Sequence, residues 1–209
     1  MSNRDALLNQ LDHALVLQDI SLDDDVQNKL IDYLLLLERW NKTYNLTAVR
    51  DPVEMIPRHL IDSLTIMSYL DGKRFIDVGT GGGLPGMVIA IALPETNWVL
   101  LDSNQKKTRF LTQVVIELGL ENVEVVHSRI EDYKDEEPFD MATSRAVTTL
   151  VALRDQVRHL GPNLLAMKGQ IPDDELKELP EECSVAIHTV QVAGDSAERS
   201  IIIIKEKNQ

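Results

Sequence analysis

Arg74-Phe75-Ile76-Asp77-Val78-Gly79-Thr80-Gly81-Gly82-Gly83-Leu84-Pro85-Gly86 is the stretch whose reading decides the fold. A short apolar run stops at glycines, and a helical pattern over 85–93 follows, with Pro85 suited to a helix's first turn. Strand, glycine loop and helix in that order open a βαβ unit. Working forward, 97–102 reads as a second strand and 105–118 as a helix closed by Gly119. Strands at 123–126, 139–143 and 163–167 follow, with a helix before the last. Two more, at 184–192 and 200–205, have no long helix between them and should pair as a hairpin. Strand–helix alternation with short connections predicts a mostly parallel, doubly wound α/β sheet carrying one antiparallel strand.

Working backward, residues 1–70 read as a helical N-terminal extension packed onto a core of 71–209, the whole forming one domain. Ala6, Leu7, Leu11, Ala14, Leu15 and Leu17 recur near helical spacing. Ser21 is the expected N-cap of a second helix, ahead of Asp23, Asp24 and Asp25. Val26, Leu30, Ile31, Leu34, Leu37 and Trp40 share a face of that helix, and a third is expected over 52–69.

No apolar run among the 209 residues approaches the roughly 20 needed to cross a bilayer. The first residues show no basic segment followed by an apolar one, so no secretory signal is expected. A lone cysteine, Cys183, fits a reducing, cytoplasmic setting. The net charge of −13 opposes non-specific binding to nucleic acid. A nucleic-acid substrate would therefore require cations gathered on one face of an acidic body.

The glycine loop is the candidate cofactor cradle. Gly81, Gly83 and Gly86 match the G-x-G-x-x-G spacing, which by itself supports only a nucleotide site. Asp77 tilts the reading: a carboxylate there can meet the ammonium of a methionine moiety, directly or through water, and would repel a pyrophosphate. Asp102, ending the second strand, can accept two hydrogen bonds from a ribose diol. NAD and S-adenosylmethionine both carry that diol, so Asp102 does not choose between them. The segment 128–132 follows the third strand, where it would lie over an adenine or serve as a plain polar turn.

With these residues in place, the chain resembles the bacterial small-subunit ribosomal RNA guanine-N7 methyltransferases, the glucose-inhibited division protein B family. The resemblance runs from about Asp19 to Lys205. It rests on Trp40-Asn41-Lys42-Thr43-Tyr44-Asn45-Leu46-Thr47, Arg58-His59-Leu60-Ile61-Asp62-Ser63, the glycine loop, Leu100-Leu101-Asp102-Ser103, Ser144-Arg145-Ala146 and Met167-Lys168-Gly169. It implies a Rossmann-like, seven-stranded class I methyltransferase sheet that binds S-adenosyl-L-methionine at Gly79, Leu84, Ile130, Glu131 and Arg145. It also implies a target guanine in a 16S rRNA loop near the decoding region of the small ribosomal subunit. Gly82 departs from the proline that many relatives carry, which should loosen the loop slightly.

The chemistry is compatible. Guanine N7 has an in-plane lone pair and no proton to lose, so positioning is the main task and no general base is required. A cytosine-C5 enzyme needs a cysteine near the cofactor, and Cys183 lies late in the chain. An adenine-N6 enzyme would show Asn/Asp-Pro-Pro-aromatic where this chain has Ser144-Arg145-Ala146-Val147. Arginine and lysine are natural partners of guanine O6 and N7. Arg145 and Lys168 are thus expected to position substrate, joined by Arg58 and Arg199 in a cationic mouth for RNA; for the last two, surface ion pairs compete as a reading.

His59 and Asp62 share a helix face, where a helix-surface hydrogen bond is preferred to a metal or acid–base pair. Core packing is the plainer role for Trp40 and Tyr44, and a solvated face for Lys106, Lys107 and Arg109. No metal site and no obligate protein partner are expected, and the chain should act as a monomer. The alternatives are an NAD-linked oxidoreductase, a small-molecule methyltransferase, and a methyltransferase-fold RNA-binding or assembly module without turnover.

Overall fold

A computed structural model describes residues 3–145, 148–161 and 163–206. Ala146 and Val147, which complete the Ser144-Arg145 block, lie outside the described residues. The N-terminal extension holds α1 (Asn3–Leu17), α2 (Asp24–Tyr44) and a short α3 (Pro52–Met55). A π-helical turn (Ile56–Ile61) and α4 (Asp62–Leu64) follow. The alternating part is β1 (Arg74–Val78), α5 (Gly86–Ala92), β2 (Asn97–Asp102), α6 (Gln105–Leu118), β3 (Val123–His127), β4 (Met141–Arg145), α7 (Leu150–Val157) and β5 (Asn163–Lys168). After α8 (Asp173–Lys177), β6 (Cys183–Val192) and β7 (Asp195–Glu206) complete one seven-stranded sheet in the order β3-β2-β1-β4-β5-β7-β6. β7 runs antiparallel to both β5 and β6, as the hairpin reading anticipated.

The period-2 alternation of the strands sorts the core onto two faces. Phe75, Leu100, Met141 and Leu165 face the side covered by the N-terminal helices, α5 and α6. Ile76, Val78, Leu101, Ala142 and Leu164 face the side that includes the buried residues of α7. Leu30, Ile31, Leu34 and Leu37 of α2 join the first cluster fully buried, so the extension is part of the domain's core. At about 1.5–3 kcal/mol for each large apolar side chain removed from water, this face anchors α2 firmly.

Several boundaries differ from the sequence reading. The N-cap of α2 is Asp23 rather than Ser21, in extended geometry and with no side-chain cap bond. The expected third helix over 52–69 is interrupted by the π turn and separated from a 3₁₀ turn at Met67–Tyr69. Pro85 is the cap residue of α5 and not its first helical residue. β4 lies two residues later than expected, which makes Arg145 its last residue. β7 begins already at Asp195, because Ala193 and Gly194 alone join it to β6. Among the described residues no helix is long and apolar enough to cross a membrane.

Candidate active site

Strand order reverses between β1 and β4, and open α/β sheets bind ligands at such a point, outside the carboxyl ends of the strands. A cavity of about 580 Å³ lies there, in the size range of small-molecule sites. Gly79, Gly81, Leu84, Asp102, Ile130, Glu131 and Arg145 line it, so seven of the residues singled out from sequence are brought together. Ser128 and Arg129 of the segment expected over an adenine also line it, and Leu46, Thr47, Lys107 and Gln156 are further lining residues that sequence reasoning did not assign to it.

Asp77 is not among the lining residues. It shares strand parity with Phe75, so its side chain enters the face beneath α5, where it is fully buried. There Oδ2 accepts from Thr80 Oγ1 at 2.6 Å and Gly86 N at 2.9 Å, and Oδ1 from Thr143 Oγ1 at 3.2 Å. The carboxylate therefore pins both ends of the glycine loop from beneath it, away from the cavity where a contact with a ligand ammonium, directly or through water, was expected. Burial pushes its pKa up from 3.8 to about 6, against the hydrogen bonds from Thr80, Gly86 and Thr143 and the charge of Arg145.

Two glycines are required by this geometry. A Cβ on Gly86 would lie 2.5 Å from Leu100 Cδ2 and 2.7 Å from Asp77 Cβ. Gly83 has φ +97°, and a Cβ there would meet Met87 Cβ at 2.7 Å. Gly82, expected to loosen the loop, is braced from outside: the buried Tyr33 hydroxyl of α2 donates to its carbonyl at 2.7 Å. Burial raises the Tyr33 pKa further, so this hydroxyl keeps its proton. The N-terminal extension thus props the loop, a role with no signature in the sequence of α2.

Asp102 presents its carboxylate at the cavity wall. Oδ2 accepts from Gly81 N at 2.9 Å and from Lys107 Nζ at 3.4 Å, while Oδ1 accepts from Asn104 N at 2.8 Å. Lys107, read from sequence as solvated, is half-buried against this acid; Lys106 and Arg109 are exposed.

A second cavity of about 540 Å³ adjoins the first, and Thr47 and Arg145 line both. Its lining gathers all four residues of the expected cationic mouth, Arg58, Arg145, Lys168 and Arg199, against one carboxylate, Asp62. These cations are paired rather than bare. Arg145 and Arg199 reach Asp62 at 3.0 and 2.8 Å, Lys168 reaches Glu175 at 3.1 Å, and Arg58 has looser contacts to Glu54 and Asp195 at 3.7 and 4.0 Å.

His59 and Asp62 are both buried, which excludes the expected helix-surface hydrogen bond. Each turns to a different partner: His59 Nδ1 donates to the Arg58 carbonyl, and its Nε2 accepts from the Thr47 hydroxyl at 2.8 Å. Burial lowers the His59 pKa from 6.5 to about 4, with the Arg58 carbonyl opposing the shift, so the ring is neutral near pH 7. Trp40 packs against Phe110 and Tyr44, with ring centroids 5.7 and 5.3 Å apart; Tyr44 is exposed.

A glycine loop after β1, an acid ending β2 and a seven-stranded sheet with antiparallel β7 define a class I methyltransferase. The fold matches solved structures at low identity. One is TrmK from M. capricolum in complex with S-adenosyl-homocysteine (TM-score 0.57, 13% identical, 70% of this chain and 68% of that chain). Another is the human methyltransferase 10 domain containing protein (TM-score 0.57, 14% identical, 91% of this chain and 100% of that chain).

The family described as rRNA small subunit methyltransferase G matches residues 26–202, and this chain belongs to it. Ribosomal RNA small subunit methyltransferase G of Pseudomonas aeruginosa is 52% identical over 191 residues, covering 89% of each chain. The protein of that name from Salmonella arizonae is 48% identical over 203 residues, covering 95% of this chain and 98% of the relative.

Proposed function

We propose that this enzyme transfers a methyl group from S-adenosylmethionine to N7 of a guanine in 16S rRNA of the small ribosomal subunit. The observation that carries this reading is the pair of adjoining cavities, one glycine-lined with Asp102 at its wall, the other cation-rich, meeting at Thr47 and Arg145. The first cavity fits the methyl donor. Its volume is sufficient, and Asp102 offers a carboxylate to a ribose diol. Gly79, Gly81, Leu84, Ile130 and Glu131 would hold it, with Asp77 acting through the loop.

When bound, S-adenosylmethionine supplies an electrophilic methyl on a sulfonium. The acceptor needs a free lone pair, so no residue has to remove a proton, and none in the second cavity is poised to do so: His59 is committed to Thr47. Arg145, at the junction, would donate to guanine O6 and leave N7 open. Lys168, Arg58 and Arg199 face the incoming RNA, and their cationic lining answers its phosphates despite the acidic body. The setting is the cytoplasm, and the enzyme acts as a monomer. The test is methylation of 16S RNA from cells lacking this protein, as naked RNA and as assembled particle, with the modified base mapped by mass spectrometry. A 7-methylguanine dependent on added enzyme is expected; methyl on another base, or none, refutes the assignment.

A further inference from the structure

Asp62 is the one carboxylate among the residues lining the second cavity, and it is only 2% exposed. Its oxygens are divided between two strands: Oδ2 accepts from Arg145 NH1 at 3.0 Å, at the end of β4, and Oδ1 from Arg199 Nε at 2.8 Å, on β7. Withdrawing a carboxylate from water is costly, and removing one member of such a buried group leaves uncompensated charge on the others. The position follows from the backbone. The π turn ends at Ile61 and Asp62 comes next, on the first residue of α4, which points the carboxylate into the cavity that His59 also lines. Such turns concentrate at functional sites.

The consequence falls on Arg145. Its NH1 is held by Asp62 and by the Arg58 carbonyl at 3.2 Å, and among the described residues nothing engages its Nε or NH2. A guanidinium is a rigid planar fork, so fixing one arm sets the direction of the remaining donors.

We propose that Asp62 is a positioning residue for methyl transfer. It holds Arg145 and Arg199 as one unit, so that the free edge of Arg145 faces the acceptor base at the junction of the two cavities. This rests on the reading of that cavity as the site of the target base. Displacing a positioning group by an ångström can cost about 100-fold in rate. Asp62→Asn should lower kcat for RNA methylation by about that factor, because one guanidinium then meets an amide N–H in place of an acceptor.

The experiment measures kcat and KM for 16S RNA with saturating S-adenosylmethionine, normalised to sites that bind S-adenosylhomocysteine by calorimetry. Cofactor affinity in Asp62→Asn should stay within about threefold of wild type, since the carboxylate does not line the first cavity. In an Arg145→Gln background the same substitution should cost less than about threefold, because the group it acts through is gone. A full rate with Asp62→Asn, a parallel loss of cofactor affinity, or an equal cost in both backgrounds overturns the proposal. If Asp62→Asn does not fold, Asp62→Glu carries the test, keeping the charge and moving it by one methylene. A reduced rate at unchanged cofactor affinity supports the role, and an unchanged rate overturns it. A wild-type enzyme that leaves the RNA unmethylated refutes the acceptor assignment and this inference with it; an active wild type with an equally active variant refutes Asp62 alone.

Discussion

Replacing Asp77 by asparagine removes one charge from beneath the cofactor loop and leaves an oxygen for Thr80 and Gly86. Burial raises the carboxyl from its ordinary 3.8 to about 6, so the folded protein binds this proton more tightly than the unfolded chain. Stability from the group is fully present below about pH 4 and is lost as pH rises to about 6, by about 3 kcal/mol at ~1.4 kcal/mol per unit. His59 works in the opposite direction. Its pKa falls from 6.5 to about 4, so its contribution is present above pH 6.5 and is lost as pH falls towards 4. That loss is also about 3 kcal/mol. The two windows overlap and their slopes cancel in the wild type.

Asp77→Asn should therefore uncover the histidine. Relative to wild type, its unfolding free energy should gain about 3 kcal/mol of upward slope between pH 4 and 6. Urea unfolding at half-unit pH steps from 4 to 8 measures this, and taking the difference between the two proteins removes the exposed carboxylates common to both. His59→Gln should show the reverse slope. Parallel profiles for Asp77→Asn and wild type would refute the burial of an ionised carboxylate under the loop.

Asp102→Asn, which loses the acceptor charge shared by Gly81 N and Lys107, should weaken S-adenosylhomocysteine binding by about 1.5–3 kcal/mol, read by calorimetry. An unchanged affinity would remove Asp102 from the donor site. Gly86→Ala forces a methyl group against Leu100 and Asp77, so thermal or urea unfolding should show a loss of about 1–3 kcal/mol together with weakened cofactor binding. Arg145→Ala should lower the methylation rate by at least about 100-fold, leaving a measurable residual rate, while circular dichroism stays native because Asp62 keeps Arg199; near-normal activity would sink the assignment.

The sequence determined the parts that depend on local periodicity. The glycine loop, β1, β2, α6 with its Gly119 cap and the terminal hairpin follow from spacing, because a buried strand and an amphipathic helix each leave a short-range pattern. Asp102 and the segment 128–132 were legible from their places after β2 and β3, whereas Gly79, Leu84, Ile130, Glu131 and Arg145 were expected at the donor site from the family resemblance. The roles of Asp77, Tyr33 and Asp62 were decided only in the tertiary structure. Asp77 looks from sequence like a ligand residue, yet strand parity and the missing Cβ of Gly86 turn it inward as a clamp. Tyr33 reaches the carbonyl of Gly82, 49 positions away, and Asp62 reaches Arg145 and Arg199 across 83 and 137 positions. No local pattern records such pairings: they exist because packing two faces of one sheet brings distant elements within hydrogen-bond range, and there burial sets which charges must meet.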